Sequence, residues 1–299
     1  RGLSSSEALL RLPVFAAGLA SLWLFFRLGR ALGGRLVGWL ALALAAVSPY
    51  HLWYSTMARG YMLSVCLSLF GLWVLVSAED PPRRSSRWWF GISQVLASWA
   101  MPTAIIVPTF LCLTLLAGAF EPGRRITGAD PRSPSGAAWL VASLWTLLAA
   151  ALANLQMVPF LLRLAAEIQG LSIEGALLGA ANWFGIMRLG PGWFSLWLAV
   201  LGLGLWAFVH HPERVAPWTE RFLAGLLSIS ALLLLFAPLP PRIHTVGFIG
   251  LVIFGAFGIA RCAAAIPVPA SVRVAAAGMA IAGLAWTAWP DVVSVAQGR

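Results

Sequence analysis

Apolar runs long enough to cross a lipid bilayer recur along almost the whole of this chain, and that recurrence restricts the fold more than any motif does. Measured against the roughly 20 residues that a spanning helix needs, the runs lie at 9–26, 36–47, 61–78, 88–100, 103–120, 137–160, 193–209, 222–239, 246–260 and 274–289. Hydrocarbon offers no water to backbone N–H and C=O groups, so such segments must satisfy their own hydrogen bonds as helices. The expected fold is all-α: a polytopic transmembrane helical bundle of about 10 membrane segments, forming a single transmembrane helical domain over residues 1–299. The second and fourth runs are short. Only "MPT" parts the fourth from the fifth, which reads as a tight hairpin or a re-entrant pair.

Composition removes the main competitor. Sixty per cent of the residues are hydrophobic and 10% are charged, against roughly 25% charged in soluble domains, so no separate soluble domain is expected. The net charge of +10 comes from 20 arginines, with no lysine, set against 10 acids. These arginines stand in ones, twos and threes between apolar runs. That is the pattern of loops facing an anionic membrane surface and not the basic patch that nucleic acid requires, so the expected partner is the lipid bilayer and no nucleic acid. Cys66, Cys112 and Cys262 are far apart and read as small buried hydrophobes. No metal-ligand spacing and no cofactor motif is visible; a divalent metal stays open.

Arginine placement also gives an orientation. With the runs as spans, Arg27, Arg30, Arg35, Arg83, Arg84, Arg87, Arg124, Arg125, Arg132, Arg214, Arg221, Arg261 and Arg273 fall on one face. Arg1, Arg11, Arg59, Arg163, Arg188, Arg242 and Arg299 fall on the other. The first face, with 13 of the 20, should be cytoplasmic because positively charged loops stay inside. Both termini and the stretch at 48–63 then lie outside. The longest outer connection, 161–192, reads either as a lid over an outer site or as a peripheral helix with an aromatic belt.

The stretch at 48–63, "SPYHLWYSTMARGYML", holds all 3 tyrosines of the chain. Ser48 followed by Pro49 signals a helix start, through a serine cap and a proline whose fixed φ suits the first turn. At helical spacing His51, Ser55 and Arg59 share one stripe, and Tyr50, Tyr54, Met57 and Tyr61 share the next. Such a face combines a permanent cation, an imidazole and a hydroxyl with aromatic rings that can stack on a sugar. It suits a phosphate-bearing polar headgroup. The bland alternative is an interfacial belt with a snorkelling arginine. A second outer group, "PLPPRIHTV", adds Arg242, which reads equally as a second phosphate contact or as a snorkelling interfacial residue, and His244 beside it as a candidate substrate contact. His210 and His211 open a cytoplasmic loop and read as solvated.

These residues resemble the polytopic GT-C glycosyltransferases, in particular the bacterial branch similar to dolichyl-phosphate-mannose protein mannosyltransferases. The resemblance rests on "SSSEALLRLPVFAAGLASLWLFFRLGRALGG" as an arginine-leucine-proline entry to an early spanning helix, and on "SPYHLWYSTMARGYML" with its Arg-x-Tyr ending. "PPRIHTVGFIGLVIFGAFGIAR" is a weaker echo of a late outer arginine. It implies transfer of a sugar from a polyprenyl-phosphate carrier to a glycan, lipid or protein acceptor on the extracytoplasmic face, in a bacterial inner membrane. It implies substrate contacts from His51, Tyr54, Ser55, Arg59, Tyr61, Arg242 and His244. Two departures stand out. Met57 occupies a position that is commonly acidic in the family, and the family's catalytic aspartate, in an outer loop after a first spanning helix, is expected upstream of Arg1. Glu7 is the acid of this chain nearest that role. The competing classes are a transporter or lipid flippase and a non-catalytic membrane homologue.

Overall fold

The computed structural model describes residues 5–79, 82–119, 134–157, 245–265 and 278, and among them every regular element is helical. The first, α1 (Ser5–Gly33), runs past the end of its apolar stretch to Gly33. The guanidinium of Arg27 explains why the helix does not stop: it lies over the rings of Trp23 and Trp73, 5.1 and 4.8 Å from their centroids. This cation–π sandwich shelters the charge at the bundle edge. Gly34 then adopts φ 87°, a conformation open to glycine without steric cost, and α2 (Arg35–Val47) begins at once. The connection between α1 and α2 is therefore a single residue.

Helix α2 folds back antiparallel on α1 through facing glycines. A Cβ placed on Gly38 would sit 2.8 Å from the Phe26 carbonyl oxygen and 3.1 Å from the Arg30 backbone nitrogen. Where lipid tails are as apolar as leucine, helices associate through such close backbone approach. After the short α3 (Pro49–Thr56), α4 (Tyr61–Ser77) and α5 (Arg84–Ala100) form a second antiparallel pair with a polar seam. Ser64 Oγ donates to the Ala97 carbonyl at 3.1 Å, and Gln94 Nε2 donates to the Ser68 carbonyl at 3.4 Å.

Met101 is extended, and a 3₁₀ turn at Pro102–Ile105 leads into α6 (Ile106–Ala119), so the "MPT" segment is a tight connection. Helix α7 (Pro134–Ala153) stops short of the expected residue 160. Asn154 ends it: its Nδ2 donates to the Ala150 carbonyl at 2.8 Å and its backbone N–H is shared between the carbonyls of Ala150 and Ala151. The last described helix is α8 (Thr245–Ala265).

Helices α1, α4 and α8 run in one direction. Ser21 and Arg27 of α1 meet Met62 and Trp73 of α4, while Phe25 and Gly33 meet Phe248 and Phe257 of α8. Phe25, Leu28, Met62, Leu69, Leu72, Phe248 and Ile249 are fully buried where these helices join. The parallel course gathers Arg27, Arg30, Arg35, Arg83, Arg84, Arg87 and Arg261 at one end of the bundle, leaving Arg11 and Arg59, of the described arginines, toward the other.

Three described helices are long and apolar enough to cross a membrane: α1 from Leu9, α7 from Gly136 and α8 from Val246. A fourth is reached if α2 and α3, bent by 62° at their junction, count as one broken span. Helices α4 and α6 are apolar but shorter. The runs at 193–209, 222–239 and, apart from Gly278, 274–289, and the connection at 161–192, lie outside the described residues.

Candidate functional site

The tyrosine-bearing stretch folds as a short helix, a turn and the start of α4. Pro49 takes the first turn of α3, as its fixed φ favours. The side-chain cap expected of Ser48 is not made: its Oγ is buried without a partner among the described residues, and the helix starts on backbone bonding alone.

Within α3 the two expected stripes exist, but they face different neighbours. His51 and Ser55 are buried against α1. Ser21 Oγ lies 2.7 Å from the Gly18 carbonyl oxygen, to which it donates, and 2.8 Å from His51 Nε2, a contact that ties α3 to α1. Ser55 Oγ donates to the His51 carbonyl at 2.6 Å. Both residues therefore dock α3 onto α1 and present no open polar face.

The tyrosines form the other side. Tyr50 packs on Tyr54 at 4.5 Å between ring centroids and stacks on Phe248 of α8 at 4.6 Å, and Tyr54 meets Tyr61 edge-on at 4.9 Å. Tyr50 is buried, whereas Tyr54 and Tyr61 are half-buried.

Arg59 departs from the expected geometry. Helix α3 stops at Thr56, Met57 is extended with φ −84° and ψ 128°, and the Arg59 N–H bonds to the Met57 carbonyl at 2.7 Å. Arg59 therefore does not extend the His51–Ser55 stripe; it projects, exposed, from the turn before Tyr61. Close packing on α5 accounts for the turn, because a Cβ on Gly60 would meet the Ala100 carbonyl oxygen at 2.6 Å. Only the smallest residue lets the chain swing there into α4.

Depth gives this turn its significance. Met62 Sδ lies 3.7 Å from Ser21 Oγ, and Ser21 is about 18 Å along α1 from Leu9, where the apolar stretch of α1 begins, at 1.5 Å per residue. Ser55, near the end of α3, packs against Gly18, closer to Leu9 than Ser21 is, so the break between α3 and α4 lies within the apolar length of α1 but shallower than Ser21. Glu7 belongs to the first turn of α1, at the same end of that helix; its side chain, together with Arg242 and His244, lies outside the described set.

Sequence reasoning missed Ser21 and Phe248. Ser21 is one hydroxyl inside an apolar run, and only the tertiary fold pairs it with His51. That pairing makes an asymmetric prediction. Ser21→Ala removes the side-chain partner of the buried His51 Nε2 and should cost about 1–3 kcal/mol, whereas His51→Leu leaves the Ser21 hydroxyl bonded to Gly18 and should cost less. Thermal unfolding of the two variants in detergent checks the order, and equal destabilisation would contradict it. Neither a protein-family model nor a curated protein matches the chain, so what this site can do rests on its own geometry.

Proposed function

We propose that this chain is a membrane glycosyltransferase of the GT-C kind, or the membrane domain of one, that takes a sugar from a polyprenyl-phosphate carrier on the extracytoplasmic face. One observation carries the reading: exposed Arg59 and the half-buried, ring-packed Tyr54 and Tyr61 sit on a helix break recessed within the apolar length of α1. Non-helical backbone at membrane depth is tolerated where it is covered by protein or lines a wet cavity. An ionisable side chain at that depth marks a substrate path.

In this reading the Arg59 fork holds the carrier phosphate, with charge-assisted bonds strengthened by the low dielectric around it. Tyr54 and Tyr61 supply apolar faces for a sugar or the first isoprenyl unit. His51 and Ser55 are positioning residues that fix α3 on α1. An acceptor oxygen attacks the anomeric carbon, the bond from that carbon to the phosphate oxygen breaks, and the polyprenyl phosphate leaves with its new charge facing Arg59. A carboxylate must take the acceptor proton, and Glu7 is the acid near the start of the chain on that side. Arg242 and His244 remain proposed second contacts.

The 62° break between α2 and α3 also favours a second reading, because discontinuous helices with a recessed charge are a transporter or flippase device. The two separate on chemistry: a transferase releases free polyprenyl phosphate and a glycosylated acceptor, and a flippase leaves the donor intact.

The test uses single cysteines at Ala58 and Ser86 in a chain with Cys66, Cys112 and Cys262 replaced. Ala58→Cys should react with an impermeant maleimide in intact cells and Ser86→Cys should not, and added polyprenyl phosphate should protect Ala58→Cys. Reversed labelling would invert the orientation. Equal protection by neutral polyprenol would remove the phosphate site.

A further inference from the structure

A second feature lies at the arginine-rich end, away from the tyrosine cluster. A groove of about 730 Å³ runs between α5 and α7, lined on α5 by Arg84, Arg87, Gly91 and Val95 and on α7 by Ala142 and Thr146, with Trp88 and Trp145 on its flanks. The α5 positions are spaced by three and four residues, the spacing of one helix face. Beyond the arginines the lining is almost wholly apolar, since the Thr146 hydroxyl is already bonded to the Ala142 carbonyl at 2.7 Å.

Among the described residues, the cations at this end of the groove are not neutralised. The neighbouring Arg83 makes a two-pronged bond to Glu79, at 2.9 and 2.8 Å. Arg84 and Arg87 have no carboxylate partner among the described residues, and Arg87 Nε is buried without any hydrogen-bond acceptor. The first turn of α5 adds free backbone N–H groups, because its N-cap residue, Arg83, makes no side-chain cap. An anion is the missing partner. From Arg87 to Leu96 the groove extends about 14 Å at 1.5 Å per residue, which matches one leaflet of a hydrocarbon core about 30 Å thick.

We infer that this groove is a binding site for an anionic phospholipid of the surrounding bilayer. The headgroup phosphate sits on Arg84 and Arg87, and an acyl chain lies along Gly91, Val95, Ala142 and Thr146 between the two tryptophans. A dianionic pairing of both arginines with a soluble phosphate would leave the apolar length of the groove unused, and a neutral phospholipid would leave the arginines unpaired. Charge complementarity at one end and leaflet-matched length at the other select the anionic lipid. The site is separate from the Arg59 turn, at the opposite end of the bundle, and does not depend on the glycosyltransferase reading.

The experiment is native mass spectrometry of the 299-residue chain, delipidated in detergent and titrated with phosphatidylglycerol or phosphatidylcholine. The chain should retain one phosphatidylglycerol with an affinity on the order of tenfold above phosphatidylcholine, the scale expected of two interfacial arginines. Arg84→Gln with Arg87→Gln should abolish the preference, whereas Arg83→Gln should keep it. Ala149→Phe, which narrows the groove without touching charge, should weaken retention of both lipids. Each variant is compared at matched monodispersity. An unchanged preference in the double variant overturns the proposal, as does full displacement of the lipid by millimolar inorganic phosphate, which would make the site a simple anion pocket.

Discussion

Gly38→Val should separate α2 from α1 and cost the protein much of its stability. The new Cβ would meet the Phe26 carbonyl oxygen at 2.8 Å and the Arg30 backbone nitrogen at 3.1 Å, both of them backbone atoms of α1. A flexible side chain could swing aside, but a helix backbone cannot, so the whole α2 axis must move. Overpacking of this kind costs about 3 kcal/mol, equivalent to a fall of roughly 6–12 °C in apparent Tm for a chain of moderate size. The effect should spread to the tyrosine cluster, because α3 continues directly from α2 and rests on α1 through His51 and Ser21. Gly278→Ala is the control: Gly278 is exposed and a Cβ there meets nothing within 4 Å among the described residues, and its unfolding curve should overlay the parent's. If Gly38→Val unfolds with the parent too, the close approach of α1 and α2 is not part of the folded protein.

Arg59→Ala should be the most damaging change to carrier recognition. Arg59 is exposed on a turn recessed within the apolar depth of α1, makes no ion pair among the described residues and contributes little to the core, so stability should barely change. Removal of a preorganised charge that stabilises a leaving phosphate costs about 2–4 kcal/mol in the transfer step. Arg59→Lys should keep part of the activity, since lysine retains the charge and loses the fork. Tyr50→Phe should cost almost nothing: the Tyr50 hydroxyl is buried with no hydrogen-bond partner among the described residues, so its loss removes no bond. The measurement is binding of polyprenyl phosphate and turnover of a polyprenyl-phosphate sugar in the longest form of the protein that transfers sugar, with expression and monodispersity recorded alongside. Full binding and turnover by a well-folded Arg59→Ala variant would move the phosphate site elsewhere and leave the stretch as an interfacial belt.

Run length and residue type alone determined that the chain is helical and belongs in a membrane. Leu9 onward in α1, Gly136 onward in α7 and Val246 onward in α8 are long and apolar enough to span, because bilayer thickness sets a length threshold that a string of letters either meets or misses. The gathering of arginines at one end was legible for the same reason: alternate crossings put alternate loops on the same side. The concentration of every tyrosine at 50–61 could also be read directly, and it does mark one ring cluster.

Helical periodicity, however, says which residues share a face and not what covers that face. His51 and Ser55 share a stripe as expected, and tertiary packing turns that stripe into the joint with Ser21 of α1 instead of a ligand surface. Arg59 left the stripe because α3 ends at Thr56 and Met57 is extended, and the close fit of Gly60 on the Ala100 carbonyl, about 40 residues away in sequence, goes with the turn that follows. The groove of Arg84 and Arg87 could not be read at all, since it exists only between α5 and α7. Local chemistry and solvent fix which segments are helices. The relation of one helix to another fixes which polar atoms are spent on packing and which are left for a ligand.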